Sequence, residues 1–65
     1  MNREIIYRAS ILTRSGSFSK DFEILQDAYN WLDSENNNLE NTTMIELYEK
    51  ETSRKVDGFF YTVAR

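Results

Sequence analysis

The chain has 65 residues, a formal net charge of −3 and nine aromatic residues, and it lacks cysteine, histidine and proline. Disulfides and the usual zinc ligands are thereby excluded. A domain this small buries only about 60% of the surface its unfolded chain exposes, so it depends on good packing or self-association. The commonest general base and the strongest nucleophile are missing too, which points away from an enzyme.

The length fits one domain over residues 1–65. No apolar run approaches the roughly 18 residues of a membrane span, and the first residues, Met1 to Glu4, contain no signal-peptide core. The expectation is a cytoplasmic protein. Its Asn-, Ile- and Tyr-rich, proline-free usage fits a small bacterial or phage product. Charge is uneven: residues 1–20 hold four cations and one acid, residues 21–51 one cation and nine acids, and residues 52–65 three cations and one acid. The two ends tolerate phosphate and the middle repels it.

In chain order, residues 4–13 alternate, with Ile5, Tyr7, Ala9 and Ile11 on one side and Ile6, Arg8, Ser10 and Leu12 on the other. Arg14-Ser15-Gly16-Ser17 reads as a hairpin turn in which Gly16 supplies the positive φ. Residues 18–22 continue as a short, mostly polar strand suited to a sheet edge. The period then changes. Leu25, Ala28, Tyr29 and Leu32 form one helical stripe, with Trp31 at its margin. Glu23 and Ile24 cap the start poorly, and Asn36-Asn37-Asn38 ends the helix with residues that tolerate turns and left-handed backbone.

Residues 43–50 alternate again, with Ile45 and Leu47 opposite Met44, Glu46, Tyr48 and Lys50. Glu51 to Arg54 forms a loop, and residues 55–64 return as a strand rich in Val, Phe and Tyr. Gly58 within it suggests a bulge or a close backbone approach. The order is ββαββ. The first and last strands are the longest and most apolar, which puts them side by side at the centre. An α+β fold follows, with a four-stranded mixed sheet in the order 2-1-4-3 and one helix on one face. That layout is similar in outline to the β-grasp shape of small immunoglobulin-binding bacterial domains.

Chemical motifs are sparse. The carboxylate pairs Asp33/Glu35 and Glu49/Glu51 point to different sides or to a loop, where a solvated surface is the ordinary reading. No phosphate-binding glycine loop and no calcium loop occurs, so no metal, cofactor or small-molecule substrate is expected. Asn41-Thr42-Thr43 matches a glycosylation sequon without a secretion signal beside it.

Nucleic-acid binding is the alternative function. It would use Arg3, Arg8, Arg14 and Lys20 of the first hairpin with Arg54 and Lys55 of the second. The succession strand, glycine turn, Phe18 and Ala28-Tyr29-Asn30-Trp31-Leu32 helix resembles the strand–strand–helix pattern of plant-type AP2 and integrase arm-binding domains, though it lacks their dense basic residues. Net negative charge opposes a phosphate-driven affinity.

The second sheet face carries the stronger signal. If Ile5, Tyr7, Ala9, Ile11, Ile45, Leu47, Phe59, Tyr61 and Val63 face the helix, parity sends the alternate residues outward. Whether Phe59 or Phe60 is the buried one is left open by the Gly58 bulge. The outward set is more apolar than a solvated face needs. It predicts a non-enzymatic interaction domain that binds a protein partner or itself as a homodimer, through Ile6, Arg8, Leu12, Met44, Tyr48 and Phe60.

Overall fold

The computed structural model describes residues 4–36, 38 and 40–62. Four strands and one helix follow the expected order: β1 (Ile5–Thr13), β2 (Gly16–Phe22), α1 (Leu25–Glu35), β3 (Thr42–Glu49) and β4 (Lys55–Phe60). The strand order is β2-β1-β3-β4, with every neighbouring pair antiparallel.

The α+β class is therefore correct, but the mixed sheet, the order 2-1-4-3 and the β-grasp layout are not. Apolar content misplaced β4. All six of its residues are exposed, whereas β3 contributes buried Thr43 and Ile45. β3 sits against β1 in a register that joins Tyr7 to Leu47, Ala9 to Ile45 and Arg8 to Glu46. Both apolar and opposite-charge cross-strand pairs favour that register. It also shortens the crossover, since the helix connection passes over β1 alone instead of over two strands. Arg3 of the basic set, Asn37 of the helix-ending run, Leu39, and Val63 and Ala64 of the expected last strand lie outside the described residues.

The first turn consists of Arg14 and Ser15, flanked by the Thr13–Gly16 pair. Thr13 Oγ1 donates to the Gly16 carbonyl at 2.9 Å, and Gly16 takes φ +145°, a backbone state that side chains resist. The helix forms over eleven residues free of glycine, proline and β-branched side chains. Ile24 gives it no side-chain cap, as the sequence indicates. It stops where the Asn36 N–H bonds the Leu32 carbonyl at 3.0 Å. Asn36 leaves the helix in extended backbone, not the left-handed turn its type suggests, because its buried side chain accepts from Asn41 Nδ2 at 3.0 Å.

The core is Ala9 and Ile11 of β1, Ile45 of β3, and Ala28 and Leu32 of α1, all fully buried. Burying an aliphatic side chain of this size contributes about 1.5–3 kcal/mol, so a few positions carry much of the stability. Aromatic pairs extend the core on both sides of the helix. Trp31 meets Phe18 and Phe22 of β2, each at 6.0 Å between ring centres. Tyr29 meets Tyr61 at 4.7 Å and Phe59 at 6.5 Å. Phe59 is thus the helix-side residue, and Phe60 points the other way.

Candidate functional site

Because the odd residues of β1 pack under α1, pleating sends Ile6, Arg8, Ser10 and Leu12 to the opposite face. Register carries this parity across the sheet. Tyr48 lies opposite Ile6, Met44 opposite Ser10, and Phe60 opposite Met44. All six residues singled out from the sequence therefore share the helix-free face.

Charged groups absent from that set cross the same face. Arg8 grips Asp21 of β2 with two hydrogen bonds, Nε to Oδ1 at 2.8 Å and Nη2 to Oδ2 at 3.2 Å. Its guanidinium also lies 4.6 Å from the centre of the Tyr48 ring. The Tyr48 hydroxyl donates to Glu46 Oε2 at 3.3 Å, and the same oxygen accepts from Lys55 Nζ at 2.9 Å. One polar chain, Asp21–Arg8–Tyr48–Glu46–Lys55, thus spans all four strands. Hydrogen bonding to Arg8 holds the Asp21 carboxyl below its ordinary value, and Asp21 in turn raises the guanidinium pKa. The hydrogen bond to Glu46 likewise raises Lys55.

This chain reduces the apolar area that parity alone implies. Ile6 and Tyr48 are half-buried beside it. The remaining apolar surface is Leu12 at 43% exposure, half-buried Met44, exposed Val56 and Phe60 at 74%. A shallow groove of about 400 Å³ runs along β3 and β4, with Phe59 and Phe60 in its wall beside Met44, Glu46, Lys55, Val56, Asp57 and Gly58. Gly58 is part of its lining. A Cβ there would make ordinary contact with Lys55 Cε at 3.4 Å and Glu46 Cγ at 3.6 Å, so a small side chain fits beside the ion pair and only a longer one would reach into the groove. The β3–β4 register shifts between Leu47 and Tyr48, making Val56 the extra residue. The bulge falls two residues before the glycine that signals it.

The free edge of β4 is partly covered. The Tyr61 N–H bonds the Thr43 carbonyl at 3.0 Å, so by antiparallel alternation the N–H groups of Gly58 and Phe60 point away from β3. The Gly58 N–H is taken by Asp57 Oδ1 at 2.8 Å. An acid folded over its own strand edge opposes pairing with another strand.

Among the described residues, most cations have carboxylate partners: Arg8 with Asp21, Arg14 with Glu40, Lys50 with Glu4 and Glu23, and Lys55 with Glu46. No described group of three or more acidic residues is arranged to hold a metal ion, and no described helix is long and apolar enough to cross a membrane. Asp33, one of the candidate carboxylates, accepts the Tyr61 hydroxyl at 3.0 Å. Asp21 was missed by sequence reasoning, which named Glu46, Lys55 and Gly58 without bringing them to this site. Asp21 had a usable signal, since counting back from the Arg14–Ser15 turn places it opposite Arg8.

No protein-family model, characterised protein or solved structure matches the chain at a significant level.

Proposed function

We propose that this chain is a non-enzymatic interaction domain that binds protein through its helix-free sheet face. One observation carries the reading. Phe60 stands 74% exposed beside Met44 and a groove, in a strand that needs no such ring for its own packing. An aromatic anchor on an apolar patch, bordered by satisfied polar groups, is the usual anatomy of a protein interface. Arg8 and Tyr48 supply the polar border.

Nucleic-acid binding by the two hairpins is the weaker reading. Arg8 and Lys55 already spend their charge on Asp21 and Glu46, and phosphate would have to displace those carboxylates.

Photo-crosslinking in cells tests the proposal, with benzoylphenylalanine at position 60 and, as control, at the exposed helix position 26. A protein adduct from position 60, to itself or to another chain, and none from position 26 is expected. No adduct from position 60, or equal adducts from both, would contradict it.

A further inference from the structure

We infer that the occupant of the helix-free face is a second copy of this chain, docked face to face about a two-fold axis. This rests on the reading that the face binds protein. In the arrangement, Phe60 of each copy enters the groove over Gly58 of the other, and the Met44 side chains meet near the axis.

Shape is the first argument. A closed two-fold contact needs a surface that complements itself. This face holds both an exposed ring, Phe60, and a concavity beside it that has the same ring as one wall and Gly58 in its lining. Charge is the second. The face carries Arg8, Lys50 and Lys55 against Glu4, Asp21, Glu23 and Glu46, each cation already paired within its own copy, so it holds one negative charge in excess on a chain of net charge −3. Two such faces bring their mostly paired charges together with less repulsion than two helix sides, which would oppose Asp27, Asp33 and Glu35. The third is the edge: Asp57 occupies the Gly58 N–H, which disfavours the competing strand-to-strand dimer.

Area sets the strength. Four strands about 4.8 Å apart and roughly six residues long give a face of about 400 Å² in projection. That is small beside the ~800 Å² per partner of a standard interface, so the dimer is a weak one that forms at high concentration.

Sedimentation velocity of the full chain from about 10 μM to 1 mM tests the inference. The wild type is expected to move from the 7.7 kDa monomer towards twice that mass. Phe60→Glu, and independently Gly58→Leu, which fills the groove, should each shift the midpoint at least about tenfold upward. Far-UV circular dichroism should stay unchanged in both, because Phe60 is exposed and Gly58 has no positive φ. A wild type that remains monomeric throughout overturns the inference, as does a dimer that persists in both variants. If the purified chain is monomeric while position 60 crosslinks to a different protein in cells, the second copy is ruled out and the interaction reading stands.

Discussion

The Arg8 guanidinium lies 4.6 Å from the centre of the Tyr48 ring while it holds Asp21 through two hydrogen bonds. Three strands are thereby tied on a face that has no helix over it. The same contact holds Tyr48 half-buried on this face, where Phe60 stands 74% exposed.

That tie responds to acid. Arg8 lowers the folded-state Asp21 pKa below the ordinary 3.8, so the pair's contribution is present above 3.8 and is lost as pH falls through the lowered folded value. Both side chains are nearly half exposed, which keeps the contribution within about 1 kcal/mol. Urea unfolding between pH 2 and 5 should show a shallower acid loss in Asp21→Asn than in the wild type.

Alkali acts at the other end of the sheet. Burial, and then the hydrogen bond to Asp33, raise the Tyr61 pKa above 10.0 in the folded state. The folded chain therefore holds that proton longer than the unfolded chain does. Its stabilisation is intact below pH 10 and is lost as pH rises through the folded value. Tyr61→Phe should flatten this alkaline loss, read by thermal melts from pH 9 to 11.

Leu32 is fully buried between the helix and β1, so Leu32→Ala should cost about 3–5 kcal/mol. In a domain this small that is most of the total stability. The variant is expected to be largely unfolded by circular dichroism at 25 °C, whereas Leu12→Ala, at an exposed position, should melt within a few degrees of the wild type.

Asp57→Ala uncovers the Gly58 N–H on the β4 edge and also removes an acid from the lining of the groove. Light scattering should then show species larger than a dimer, because strand-edge pairing adds to face docking.

The elements were legible in the sequence because each has a clean period. The alternation of Tyr7, Ala9 and Ile11 and the stripe from Leu25 to Leu32 correspond to the core found, while Ile5 lies outside it and is half-buried. Strand order was not legible. Val56, Phe59 and Phe60 make β4 look like a central strand, yet Phe60 faces away from the core and the Asp57-Gly58 pair serves the edge and the groove. Reading apolarity as centrality therefore put β4 beside β1. The same error hid the role of Glu46, which becomes Arg8's neighbour only once β3 pairs with β1. Parity within strands did not depend on strand order, so the six face residues were found even though their neighbours were not.

A dilution series followed by amide correlation spectra tests the central claim most directly. Between about 1 mM and 50 μM, shifts are expected at Ile6, Leu12, Met44, Tyr48 and Phe60, with the outward helix positions Gln26 and Asn30 unchanged. Shifts confined to the helix or to the outer edge of β2, or none at all across that range, would contradict a face-to-face dimer.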